Sequence, residues 1–251
     1  MKKTGPFQIL YEDDHIIAAD KAPGISVIAD RWDESRERLD KLLAASTGAA
    51  NLFVVHRIDR GTSGLVVFAK DAAVHKKLSA AFEGRRVKKR YIAVIRGRPD
   101  WKETICDLPL VPDGNKKHLT IIDKYMGKKS LTRFRLLLTA GNYSVVEAVP
   151  ETGRTHQIRV HLAGLGHSIV CDEFYGNAKP VLLSSFKRGW RGDPLEENPL
   201  LSRLGLHAAE LFIPGYANGL NLKAPLPRDM VALIRQMEKA GLTNIPIGIY
   251  H

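Results

Sequence analysis

Asp59 stands between Arg57 and Arg60, with His56 three residues before it and Thr62 three after. A carboxylate flanked by guanidinium groups is expected to stay ionised and to be fixed in direction. Such a group can act as a nucleophile or stabilise developing positive charge. The plainer alternative is that Asp59 is an Asx-turn residue capping a hairpin. A second polar set, Arg154, His156, Arg159 and His161, falls within Glu151–His161. If that stretch is helical, His156 and Arg159 share a face while Ile158 and Leu162 turn to the core. A helix start near Gly153 to Thr155 would also suit a phosphate. His156 and His161 invite a metal reading, but no third ligand is in view, and no metal site is expected. The third set is the basic run Arg85 to Arg90, which leads into Tyr91. Taken alone it is either a solvated charged face or a grip on phosphates.

These residues need elements to hold them. Phe53 to Val55 and Leu65 to Ala69 are apolar, β-branched runs that read as strands, and Gly61 to Gly64 supplies a turn between them. His56, Arg57, Asp59 and Arg60 therefore sit on a connection between two buried strands, a favoured place for chemistry. Asp71 is a plausible N-cap for a helix with Val74, Leu78, Ala81 and Phe82 on its apolar face, ended by Gly84. Tyr91 to Ile95 and Tyr143 to Val149 read as strands, and Thr155 to Leu162 as a short helix ending at Gly164.

The remaining segments are read the same way. Phe7 to Leu10 and Ile16 to Asp20 are short strands; Lys21 to Gly24 is a turn, followed by Ile25 to Ile28. Leu39, Leu42 and Leu43 mark a helix within residues 33 to 45. Leu119 to Ile122 and Leu131 to Leu138 are read as paired strands decorated by Lys116, Lys117, Lys124, Lys128 and Lys129. That ribbon is either a nucleic-acid groove or a solvated hairpin. Residues 177 to 204 form a long loop, Leu206 to Ile213 a strand, and Pro227 opens a last helix with Met230, Leu233 and Met237 on one face and Gly241 after it.

Length and composition bound the answer. A chain of 251 residues with 44% hydrophobic and 26% charged residues buries a full core. The 38 Lys and Arg against 27 Asp and Glu leave a formal charge of +11, which favours a polyanionic partner. Cys106 and Cys171 form no CxxC, so neither a disulfide framework nor a zinc ribbon is expected. No apolar run has transmembrane length, and no apolar segment follows Lys2 and Lys3; a cytoplasmic protein is expected. Nothing marks a linker or a repeat, so residues 1–251 are read as a single domain.

His56-Arg57-Ile58-Asp59-Arg60-Gly61-Thr62-Ser63-Gly64 resembles the signature His-Arg-Leu-Asp-x-x-Thr-Ser-Gly of the RluA family of RNA pseudouridine synthases, with Ile58 the one departure. Lys89-Arg90-Tyr91-Ile92-Ala93 resembles the family's Lys-x-Tyr-x-Ala strand. Gly153 to His161 resembles its Gly-Arg-Thr-His-Gln-Ile-Arg-x-His element. Asp172 to Gly176 continues with Asp-x-x-Tyr-Gly, and Leu206-His207-Ala208 matches a Leu-His-Ala strand. Ser168 replaces a usual proline, and Ile213-Pro214 replaces a His-Pro. The opening strands also resemble the family's catalytic domain, so a single catalytic domain without a preceding S4 domain is expected.

The resemblance implies an α+β fold with a central, mostly antiparallel mixed sheet, flanking helices and an RNA cleft. It implies isomerisation of uridine in ribosomal or transfer RNA. Asp59 matches the catalytic aspartate, Tyr91 the catalytic tyrosine, and Arg159 the arginine that partners the aspartate. A tyrosine ring can stack on a flipped base, and its phenol can move a proton. RNA contacts are expected from His56, Arg57, Arg60, Thr62, Lys88, Lys89, Arg90, Arg154 and His156. No cofactor is expected, because breaking the N1–C1′ bond and rejoining the base through C5 needs no redox step or external group. Attack at C1′, attack at C6, and a glycal route all remain open. A monomer with no obligatory protein partner is expected. Two rivals stand beside this: a non-catalytic RNA-binding module, and an RNA hydrolase using His56 or His156.

Overall fold

The structure, a computed structural model, describes residues 5–29, 37–49, 51–116 and 118–240. In chain order its elements begin with β1 (Phe7–Glu12), β2 (Ile16–Lys21), α1 (Leu39–Thr47), β3 (Phe53–Val54), β4 (Ser63–Ala69) and α2 (Ala72–Glu83). There follow β5 (Lys88–Arg96), β6 (Glu103–Cys106), β7 (Leu110–Val111), β8 (Ile121–Ile122), β9 (Thr132–Ala140) and β10 (Tyr143–Pro150). The chain ends with α3 (Gln157–Gly164), β11 (Leu206–Ile213), β12 (Leu220–Lys223) and α4 (Arg228–Ala240). The fold is α+β; β1–β2, β2–β4, β3–β4, β11–β12, β5–β10, β10–β9, β9–β6 and β7–β8 pair antiparallel.

The chain divides into two compact units, one of Met1–Lys89 with Ala208–Pro225, the other of Arg90–His207 with Leu226–His251. In the first, β1, β2, β4 and β11 lie side by side, with β3 on β4 and β12 on β11. Ile16, Ala18, Leu65, Val67, Leu211 and Ile213 pack with Leu78 and Ala81 of α2 in one core. α2 starts as its sequence requires: the Asp71 carboxylate accepts the Val74 N–H at 2.8 Å. At its other end the left-handed residue is Arg85 (φ 56°), one beyond Gly84. Gly84 is needed for closeness instead, since an added Cβ would lie 2.9 Å from the Ala80 carbonyl oxygen.

The second unit carries strands in the order β5, β10, β9, β6, and a separate β7–β8 pair. Its core joins Ala93, Ile95, Phe134, Val146 and Ala148 to Ile158 and Leu162 of α3. Met230, Leu233, Ile234 and Met237 are the buried face of α4.

Two expectations are corrected. Residues 119–122 do not pair with β9: β9 is occupied on both edges, by β10 and β6, and Ile121–Ile122 pair with Leu110–Val111. α3 starts at Gln157 rather than Thr155, because His156 is left-handed (φ 53°) and cannot continue a helix. Lys117, Gly241 and residues 33–36 of the expected first helix lie outside the described residues.

Candidate active site

In the first unit, the His56–Gly64 turn is held from below by a buried ammonium. Lys21 is 0% exposed, and its Nζ donates to the carbonyls of Ala22 (2.9 Å), Ile25 (2.8 Å) and Arg60 (3.1 Å). A buried cation is tolerated only with its donors satisfied, so this one fixes those carbonyls in place. Arg60 is exposed, yet it too ties down the turn. Its Nε donates to the Gly24 carbonyl at 2.9 Å, and its own carbonyl accepts the Gly24 N–H at 2.8 Å. At the far end Gly64 (φ 111°) faces Lys21 across the β2–β4 register. A Cβ at Gly64 would collide with the Ala208 backbone of β11. Between these anchors Asp59 is partly buried, its carbonyl accepting the Thr62 N–H at 3.0 Å, and Arg57 is exposed.

His56 is partly exposed, but its ring stacks on Phe82 (centroids 4.6 Å apart) and its Nε2 accepts the Val67 N–H at 3.2 Å. Desolvation, with a smaller contribution from the Lys89 charge, pushes its pKa down to about 3. It is a neutral imidazole with its proton on Nδ1, unsuited to proton transfer near neutral pH. Thr62, expected at the RNA, is instead 1% exposed, and its hydroxyl finds no hydrogen-bond partner among the described residues. Lys88 is exposed, with Nζ 5.9 Å from the Phe212 ring centroid. Burial, then the Arg85 charge, pulls the neighbouring Lys89 down to about 8.

In the second unit, Tyr91 lies opposite Ala148 and packs part of its ring on the core. The Arg90 Nε donates to Glu147, which also accepts from Arg135 at 3.1 Å; an arginine expected on phosphates is thus ion-paired within the sheet. Gln157 organises the next stretch. Its Oε1 accepts from the Thr152 hydroxyl (2.6 Å) and the Arg154 N–H (3.0 Å), while its Nε2 donates to the Leu131 carbonyl and to Thr132 Oγ1. His161 is wholly buried, its Nε2 donating to the Leu108 carbonyl at 3.0 Å and its Nδ1 meeting Thr132 Oγ1 at 3.0 Å. Both ring nitrogens serve the fold, and burial lowers the pKa. His156 Nδ1 meets the Tyr175 hydroxyl at 2.9 Å. Among the described residues no group of three or more His, Cys, Asp and Glu could hold a metal ion.

Arg159 is 6% exposed and forks onto Asp172, Nε to Oδ2 and Nη2 to Oδ1, both at 2.8 Å. Phe174 and Tyr175 cover the guanidinium at 5.1 and 5.2 Å. Burial alone would raise the Asp172 carboxyl. The Arg159 hydrogen bond and charge, with the N–H groups of Phe174 and Tyr175, hold it below the usual carboxylate range. Sequence reasoning missed two residues here. Asp172 is visible only as the first letter of Asp-x-x-Tyr-Gly, and Lys21 only as part of a turn.

Residues 15–164 match the family described as RNA pseudouridylate synthase. The chain is 32% identical over 242 residues to the ribosomal large subunit pseudouridine synthase D of Zymomonas mobilis, covering 92% of this chain and 73% of that protein. It is 34% identical over 220 residues to the dual-specificity RNA pseudouridine synthase RluA of Escherichia coli, covering 86% and 92%. Among solved structures it resembles human RNA pseudouridylate synthase domain containing 1, with a TM-score of 0.70 and 26% identity over 98% of this chain and 100% of that one. For human RNA pseudouridylate synthase domain containing 4 the TM-score is 0.69, with 25% identity over 91% and 92%.

Proposed function

The chain belongs to the RNA pseudouridylate synthase family, and on that premise we propose that it converts particular uridines of ribosomal or transfer RNA to pseudouridine with Asp59 as the catalytic carboxylate. The observation that carries the assignment is the intact His56–Gly64 stretch on a turn anchored by Lys21 and Gly64. A residue so restrained is pre-organised, which is what a reacting carboxylate requires.

The reaction breaks N1–C1′, turns the base and forms C5–C1′; the C5 proton leaves and N1 takes up a proton, so the product is an isomer. A stacked duplex hides these atoms, so the target uridine is flipped out. Tyr91 serves at the base. Arg159, held rigid by Asp172, orients the Asp59 carboxylate. Arg57 guides the flipped nucleotide or its phosphate, and Lys88, Lys89, Arg154 and His156 contact the RNA. His56, Thr62 and Arg90 support those contacts from within, and the exposed Arg60 does so by tying down the turn. The enzyme works as one catalytic domain, as a monomer in the cytoplasm, without cofactor, metal or obligatory protein partner.

Pseudouridine mapping of total RNA from cells with and without the protein tests this reading. Sites that vanish with the protein and return with the parent, but not with Asp59→Asn, support it. An unchanged map sinks it. A product of changed mass would point to hydrolysis instead.

A further inference from the structure

Between β8 and β9 the second unit presents two apolar side chains to solvent. Tyr125 is 95% exposed and Met126 78% exposed. Their backbone is nevertheless tightly held. The Asp123 carboxylate accepts the N–H groups of Tyr125 (2.8 Å) and Met126 (3.0 Å), and the Gly127 N–H closes onto the Asp123 carbonyl at 3.0 Å. Those N–H bonds keep the carboxyl below its usual range. A side chain at Gly127 would strike Asp123 and Pro109. Beneath the turn, Lys128 and Leu110 exchange both backbone hydrogen bonds, at 2.9 and 3.1 Å. Ordering a turn costs conformational freedom, and this ordered turn holds a phenol and a thioether out in solvent.

The stems of this turn are fastened to the α3 stretch. On one side the Thr120 N–H donates to the Tyr175 hydroxyl at 3.0 Å, the same hydroxyl that meets His156. On the other, the Leu131 N–H donates to Thr152 Oγ1 at 3.0 Å, and its carbonyl accepts from Gln157 at 3.0 Å. Lys124, Lys128 and Lys129 are exposed around the two apolar side chains. The carboxylate that opens the turn, Asp123, is turned to the backbone.

We propose that the Lys124–Lys129 turn is an RNA-docking element, in which Tyr125, with Met126 beside it, stacks on an unpaired base outside the target uridine while the lysines meet flanking phosphates. The charge selects a polyanion, and the aromatic face selects one with exposed bases. Rigid attachment to the α3 stretch makes the turn a fixed-distance ruler for substrate choice. This rests on the function proposed above.

The test uses protein-free ribosomal RNA and bulk transfer RNA from cells lacking the protein. Filter binding is done in the Asp59→Asn background, and turnover in the parent background. Tyr125→Ala is expected to raise Kd and KM about tenfold on the RNA that is modified. Tyr125→Trp should restore both. Leu195→Ala, equally exposed at 95% on a different loop, should change neither. An unchanged Kd and KM for Tyr125→Ala overturns the docking role, whether or not the turn then binds a protein. A parent that binds RNA through Tyr125 but never forms pseudouridine would leave docking standing and remove the catalytic reading.

Discussion

Arg159 and Asp172 form a two-point ion pair, 2.8 Å at each point, with the carboxylate side chain at 0% exposure. Breaking a buried pair by removing one partner leaves the other charge uncompensated, at a cost of about 3–5 kcal/mol. Asp172→Ala should therefore lower stability by about that amount, read by urea unfolding, and lower turnover through Arg159. The pair also sets an acid limb. The folded pKa of Asp172 lies below its ordinary 3.8. Its stabilisation is present above that value and is lost as pH falls through the folded pKa. Asp172→Asn should flatten that limb of the stability curve; an unaltered limb would contradict the pairing.

His56 should stay neutral across the physiological range. Its pKa is pushed down to about 3 from an ordinary 6.5. The unfolded chain takes up this proton first, so the folded state loses stability as pH falls below about 6.5 toward 3. Nitrogen NMR of the ring should show no titration between pH 8 and pH 5 and a proton on Nδ1. Titration near pH 6.5 would reopen acid–base roles for this histidine.

Lys89 should make RNA affinity depend on pH near 8, where it loses its proton. Affinity should fall as pH rises through that value, and Lys89→Arg should remove the fall. In log–log salt plots, neutralising Lys88 and Lys89 should flatten the slope by about one unit for each phosphate no longer neutralised. Arg90→Gln should flatten it less, because Arg90 already pairs with Glu147. Slopes unchanged by all three would make this run a solvated face.

Much of this site is legible in the sequence, and the rest is hidden for physical reasons. The turn carrying Asp59, the strand carrying Tyr91 and the helix carrying Arg159 follow from apolar runs, glycines and motif spacing. The helical face expected to join His156 to Arg159 does not form, because left-handed His156 precedes the helix. What stays unseen is long-range. Lys21 looks like a surface lysine beside a proline turn, and only the fold reveals three carbonyls around its Nζ. Asp172 lies 13 residues beyond Arg159, outside any helical spacing, so no periodicity links them. Residues 119–122 show a strand pattern that names no partner, and β9 had both edges filled. Thr62 and Arg90 have surface-type side chains whose burial or pairing depends on neighbours far along the chain.

Lys21→Met keeps the length of the side chain and deletes the ammonium. At least two carbonyls are then left without a buried donor, at about 1–3 kcal/mol each. The expected result is a clear loss of stability together with a lower kcat, since the Asp59 turn loses its floor. A variant with parent-like melting and parent-like turnover would show that the turn does not depend on Lys21.

Single-turnover release of tritium from 5-tritiated uridine in cellular RNA, run beside a binding assay, bears most directly on Asp59. Asp59→Asn keeps the size of the side chain and removes its charge and nucleophile. Release should become undetectable while RNA binding persists, because phosphate contacts come from other residues. Release at near the parent rate would make Asp59 a turn residue and contradict the assignment.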